Sequence, residues 1–464
     1  MKCSTTPLTE GLAPGQLLVG YGKTEITPVN PVPLGGYGNS MKRISTNVKD
    51  PLFVTCIAMT DNADNTVLLF GIDVGSTGGV LRRYRVELAQ ELGLADDRVI
   101  FSASHTHSAP DHWLEENPAI AQYIVLLKKQ LRAAAQIALE DRAPADLYIG
   151  DIQTQGLNFV RRYRLSDGRY VGYQSDVEEA GLPVTSHETE ADRQLQLLKF
   201  KRDSKKDILL TNFQVHNHRG GGSQNKEVTS DIAGVLRSEL EKTLDCHVIY
   251  ITGAAGNLNP KSEIKEENIK ADYKEHGAEL AAYAMKAAET ARKVNAGTIR
   301  STVRVIQTPV DHSTDVLVPV AEAACDYFKE CGSIGMTRAK FLSQGIHSPG
   351  HANMIISRSR KEKTWPFEIY AFAIGDVGFA VAPYEMFDTQ GMFIKENSPY
   401  EMTVITGYAT GAFGYLPSRF AFEHGGYEVD NTYYAPGTAE MMADTYVQML
   451  KELYAEDSNT KNTL

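Results

Sequence analysis

Along this chain, apolar runs too short to be helices keep ending on side chains able to bind a metal. Val99-Ile100-Phe101 leads into Ser102-Ala103-Ser104-His105-Thr106-His107-Ser108-Ala109-Pro110. A short apolar run that closes in small polar residues reads as a buried strand entering a loop. Residues 208–215 do the same before His216-Asn217-His218, and residues 377–382 before Pro383-Tyr384-Glu385. Open α/β sheets build their sites at such carboxyl ends, where side chains from separate strands reach one space.

Between these runs lie helical stripes. Leu81, Tyr84, Leu88 and Leu92 form an apolar side over residues 79–92, and Ile120, Ile124, Leu127, Leu131 and Ala134 one over 119–140. Further helices are expected over 230–244, 269–291, 319–343 and 438–454. Strands are expected over 17–27, 52–60, 66–73, 147–152, 195–200, 247–252, 298–308 and 402–407, with a hairpin over 369–382 around Gly375-Asp376. Residues 175–190 and 348–357 read as loops. The Pro- and Gly-rich stretch 28–39 is either a surface connection or a site wall, since glycine permits close backbone approach. The alternation predicts an α/β fold, mixed sheets covered by helices. One large domain is expected over 17–455, between a lead-in (1–16) and a polar tail (456–464).

Composition narrows the function. The net charge of -11, with no basic stripe, excludes nucleic acid as a partner. The five cysteines are scattered and form no CxxC pair, so neither a disulfide framework nor a cysteine metal site is expected. No apolar run approaches the roughly 18 residues of a membrane span. The N-terminus lacks the apolar core of a secretory signal. A cytoplasmic location is expected if Met1 is the native start, and a secreted or periplasmic one if a signal peptide has been removed. The strand-to-Gly turn at Gly253-Ala254-Ala255-Gly256 lacks a Gly-Lys-Ser/Thr ending, so no nucleotide site is expected there.

Zinc takes imidazole nitrogen and carboxylate oxygen, and catalytic zinc sites leave a position for water. Two His-x-His pairs at two strand ends favour a metal, although spacing does not tell which histidine of each pair would bind it. Glu385, Tyr415 and Tyr427 carry no signal alone, and taken singly each reads as a surface carboxylate or a packed aromatic. Arg161, Arg162 and Arg164 read as a solvated face or as a clamp for an anion or carbonyl, which the planar guanidinium fork suits.

His105-Thr106-His107-Ser108-Ala109-Pro110 resembles the His-Thr-His-Ser-Gly-Pro motif of the neutral/alkaline, non-lysosomal ceramidases. Asn212-Phe213-Gln214-Val215-His216 is similar to their second histidine strand, and Pro383-Tyr384-Glu385 to their metal-glutamate turn. Gly256-Asn257-Leu258-Asn259-Pro260 stands where they carry Gly-Asp-x-Ser-Pro. Gly414-Tyr415-Leu416-Pro417, with Gly426-Tyr427-Glu428, resembles their paired-tyrosine segment. The five segments follow the family's order across residues 17–450.

The resemblance implies the single catalytic domain of a divergent, bacterial-type member, without the family's C-terminal β-sandwich. It implies one Zn²⁺ held by His105, His216, Glu385 and Tyr415. It makes His107, Arg161 and Tyr427 the catalytic neighbours, with Arg162 a rival to Arg161, and Asn259 and Arg162 on the substrate side. The implied activity is hydrolysis of an amide (N-acyl) bond in a small-molecule or lipid-like substrate, as in sphingolipid metabolism, by a metal-activated water. Two departures bear on substrate: Asn259 replaces the family serine, and Asn257 the aspartate. Asn259 has no hydroxyl, so any role needing one is absent and ceramide becomes the weaker part of the reading. The alternatives are a zinc hydrolase of a small non-lipid compound and a non-catalytic binding protein on the same fold.

Overall fold

The computed structural model describes residues 12–260, 272–331 and 341–461. Its main element is a sheet of β1 (Leu17–Glu25), β2 (Phe53–Thr60), β3 (Thr66–Ile72), β4 (Val99–Ala103), β5 (Ala143–Gln153), β6 (Gln194–Arg202), β7 (Ile208–Phe213) and β8 (His247–Thr252). The spatial order is β8-β7-β6-β5-β1-β2-β3-β4, with β9 (Arg292–Val294) pairing beside β5. Only β3–β4 and β7–β8 pair in parallel; the other neighbours are antiparallel. Each parallel pair is joined through a helix, as parallel neighbours require: α1 (Val80–Glu91) for the first, α3 (Asp231–Leu244) for the second.

The sheet curls until its two edge strands touch. The Thr252 hydroxyl, at the end of β8, donates to the carbonyls of Ala103 and Ser104 beyond β4, both at 3.1 Å. This curl brings the carboxyl ends of β4 and β7 together, and His105 and His216 with them.

On the convex face, α2 (Pro118–Glu140) lies against β1. It starts where Asn117 accepts from the backbone N–H groups of Ala119 and Ile120, with Pro118 in the first turn. Its apolar stripe buries Leu127 and Leu131 completely, each worth roughly 1.5–3 kcal/mol. Close contact depends on glycine: a Cβ on Gly22 of β1 would meet the Ala134 carbonyl oxygen at 2.1 Å. Helices α3 and α4 (Tyr273–Glu289) cover the β6–β8 half, burying Ile232, Leu236, Leu280 and Ala284.

A second sheet fills the concave face: β10 (Ile299–Pro309), β11 (Thr364–Ile374), β12 (Val377–Val381) and β13 (Met402–Thr406), in that order. Phe372 and Phe379 stack at 4.2 Å and face Ile57, Leu69, Ile100 and Ile249 of the curled sheet. On its far side lie α7 (Asp388–Asn397) and α8 (Thr438–Lys461), burying Ile394, Met442, Tyr446 and Leu450. A satellite core lies under α5 (Val318–Cys331) and α6 (Pro349–Ser359). The fold is thus mixed α/β with helices over both sheets, as expected.

Two segments expected as loops are structured. Residues 348–357 lie largely in α6: Ser348 caps it by accepting from the His351 N–H, and Pro349 opens the first turn. Within 175–190, a short helix (Gln174–Ala180) ends at left-handed Gly181, and Val184–His187 pairs with Tyr163–Leu165. The predicted helices over 269–291 and 319–343 fall partly on residues 269–271 and 332–340, which lie outside the described residues.

Candidate metal centre

Past β4 the backbone turns sharply. His105 has φ +61°, a left-handed conformation that costs a non-glycine residue about 1–3 kcal/mol. The turn is held by the Ser104 N–H donating to the Ile72 carbonyl at 2.8 Å, and by Asn217 Nδ2 donating to the Ser104 carbonyl at 2.5 Å. His105 Nδ1 lies 2.5 Å from the Gly75 carbonyl, and His216 Nδ1 lies 2.8 Å from that of Ala255 and 3.0 Å from that of Leu258. Carbonyls only accept, so both Nδ1 atoms carry the proton and both Nε2 atoms present lone pairs.

These lone pairs converge. His105 Nε2 is 3.1 Å from His107 Nε2, and ligand atoms of His105, His107 and His216 all lie within 4.8 Å of one another. Glu385 Oε2 is 3.3 Å from His216 Nε2 and 3.8 Å from His105 Nε2. Burial holds the imidazoles neutral, pushing His105 down to about 3 and His107 and His216 well below their ordinary value. The same burial raises Glu385 to about 7, opposed by the Arg161 charge. Buried His216 Nε2 and His107 Nδ1 have no hydrogen-bond partner, and the Glu385 carboxylate is met by the Tyr408 and Tyr415 hydroxyls. Orphaned polar atoms of this kind need an explanation, and imidazole nitrogens and a carboxylate gathered this closely fit a divalent cation.

Glu385 and Tyr415 are register partners in a two-residue parallel ribbon, Glu385–Met386 with Tyr415–Leu416. Tyr415 Oη accepts from Arg161 Nη2 at 3.2 Å. The rest of the Arg161 guanidinium is fixed by Glu428 Oε1 (2.7 Å), the Gly256 carbonyl (2.9 Å) and Asn259 Oδ1 (3.3 Å). Asn259 Oδ1 also meets His218 Nε2 at 3.1 Å. Leu258–Asn259 pairs with Phe159–Val160, which delivers Arg161 next to Asn259. Tyr427 is 40% exposed, with its ring 5.6 Å from that of Tyr415 and 5.3 Å from the Arg161 guanidinium.

His105, His107, Arg161, His218, Asn259, Glu385, Tyr415 and Tyr427 thus share one cleft of about 1080 Å³. Of the three neighbouring arginines, only Arg164 is exposed. Arg162 is fully buried, bound to Glu188, to Glu428 at 3.2 Å and to the Ala421 carbonyl. Asp73, another polar strand end, is a structural partner that receives both Nη atoms of Arg237, at 2.9 and 2.5 Å. The 28–39 stretch forms a cleft wall: Gly36 has φ +111°, and a Cβ there would sit 2.5 Å from His107 Cβ.

Sequence reasoning missed Tyr408, whose ring stacks on His105 at 4.0 Å, and Trp113 and Tyr173 in the cleft wall. Tyr408 has a left-handed φ of 52° that no local motif announces.

A scan against protein-family models and a search of curated proteins each find no match. Among solved structures, the chain is similar to the neutral ceramidase of Pseudomonas aeruginosa at a TM-score of 0.71 and 18% identity, covering 94% of this chain and 74% of that one. It is also similar to a ceramidase complexed with C2, at 0.70 and 17%, over 95% of this chain and 75% of that one. Nearly the whole chain therefore has a neutral ceramidase-like fold.

Proposed function

We propose that this protein is a zinc-dependent hydrolase that cleaves an amide (N-acyl) bond. The observation that carries the reading is the meeting of the His105, His216 and Glu385 side chains, with Glu385 Oε2 within 3.8 Å of both imidazole Nε2 atoms. Both similar structures are ceramidases, which supports an N-acyl bond as the target.

In this reading His105, His216 and Glu385 hold the ion, and the Tyr415 oxygen completes the set. Imidazole and oxygen donors of this kind suit zinc. When bound, zinc supplies Lewis acidity toward a carbonyl and lowers the pKa of water. The chain's own residues do the rest. Arg161, locked by Glu428, presents fixed N–H donors and a positive charge beside Tyr415, where a carbonyl oxygen becoming negative is stabilised without reorganisation. The exposed Tyr427 hydroxyl lines the same cleft and adds a donor to that oxygen. His107, neutral in the resting site, would take the proton that the attacking water gives up and pass it to the leaving nitrogen as the C–N bond breaks. The water oxygen stays with the acyl carbon as carboxylate.

Metal analysis with an amide-hydrolysis assay tests this. About one equivalent of zinc should co-purify, and His216→Ala should lose both metal and turnover. Hydrolysis at an undiminished rate by metal-free, folded protein would overturn the reading.

A further inference from the structure

The lining of the cleft bears on the substrate. Among the described residues around its 1080 Å³ there is no leucine, isoleucine, valine, methionine or alanine. A substrate with two long alkyl chains needs aliphatic walls to bury them, because that burial supplies its affinity. Here the apolar side chains are aromatic rings together with Pro110 and Pro349. Trp113 is 52% exposed in the cleft wall and held by its indole N–H donating to Ser76 Oγ at 3.0 Å. Tyr427 is also exposed, and Tyr173 stands edge-on to it at 6.0 Å.

Between these rings the walls carry short-range hydrogen-bonding groups. Lys42, Asp111, Gln174, Asn353 and Asn431 all line the cleft. Asp111 is set by accepting from the Ser40 hydroxyl at 2.5 Å. Aromatic faces together with amide, carboxylate and ammonium groups match a molecule with flat C–H faces and a ring of hydroxyls. A site built to hydrogen-bond hydroxyls also rejects analogues lacking them far more strongly than an apolar slot rejects an extra methylene.

We infer that the substrate is an N-acylated amino sugar with a short acyl group, bound through Trp113 and the polar walls. The inference rests on the hydrolase reading above and deepens it: water cleaves the amide C–N bond, giving the free amino sugar and a short carboxylate.

Two measurements test it. Isothermal titration calorimetry follows N,N′-diacetylchitobiose binding to metal-free protein, to Trp113→Ala and to Trp113→Phe. Saturable binding is expected, weakened about tenfold or more in Trp113→Ala and kept within about threefold in Trp113→Phe, as a ring-stacking contact requires. Amine release by the zinc-loaded protein then compares N,N′-diacetylchitobiose with N-hexanoylsphingosine in detergent micelles, and the sugar amide should be cleaved faster. Cleavage of N-hexanoylsphingosine with no chitobiose binding would overturn this inference and leave the hydrolase reading intact. Trp113-dependent chitobiose binding with neither amide cleaved would support the sugar site and overturn the hydrolase reading.

Discussion

Arg161 and Glu428 form an ion pair at 2.7 Å, with the carboxylate wholly buried and its second oxygen 3.2 Å from Arg162. One carboxylate therefore bridges two guanidinium groups, one facing the cleft and the other packed behind it, where Glu188 supplies the second negative charge. Removing one partner of a buried pair leaves an uncompensated charge, at a cost of about 3–5 kcal/mol. Glu428→Ala should lower unfolding free energy in urea by that order. Arg161→Lys, which keeps charge but loses the fork, should cost less stability than Glu428→Ala and lower kcat/KM.

Zinc should act as a stabiliser as well as a cofactor. A ligand that binds only the folded state at 100 times its Kd adds about 2.7 kcal/mol. Chelator-treated protein should melt at a lower temperature, zinc should restore the Tm, and Glu385→Gln should abolish the difference. An unchanged Tm on adding zinc would remove His105, His216 and Glu385 as ligands.

Asp388 gives a pH dependence. It accepts from Asn257 Nδ2 at 2.7 Å, and burial raises it from 3.8 to about 6. The folded chain therefore holds this proton to higher pH than the unfolded chain does. The associated stability is fully present below about pH 4 and is lost as pH rises through about 6. Relative to the parent, Asp388→Asn should gain on the order of 3 kcal/mol between pH 4 and pH 7. Urea melts at both pH values check this, and a constant difference would refute it.

Gly36→Ala places a methyl group against His107 at a position with φ +111°. Stability should fall by about 1–3 kcal/mol, and kcat should fall with it because the imidazole is displaced. Gly38→Ala, with a φ of +68° but open space around it, should show only the backbone cost.

Much of this was legible in the sequence where chemistry and local pattern coincide. The runs before His105 and His216 announce their strands, and the two His-x-His pairs announce a shared site. Helix α6 was missed although Ser348-Pro349 is a helix-start signal, because Gly350 and the polar residues around it favour a loop reading. The placement of Arg161 could not be read from Arg161-Arg162-Tyr163-Arg164. A solvated face and a buried clamp share that composition, and only pairing with Leu258–Asn259 and the distant Glu428 separates them. Tyr408 reaches the site from the end of β13 in the second sheet and Trp113 from a loop, and neither placement has a local period.

The touching edges of that sheet have a mechanical consequence. His105 follows the strand at one edge, His216 the strand next to the other, and Thr252 bridges the gap between them. The proposed ligand set therefore straddles a seam, and an ion bound there would act as a clasp. Amide hydrogens of Ser102, Ala103 and Thr252 would then exchange with solvent more slowly in metal-loaded than in metal-stripped protein, so the state of the clasp could be followed without any substrate.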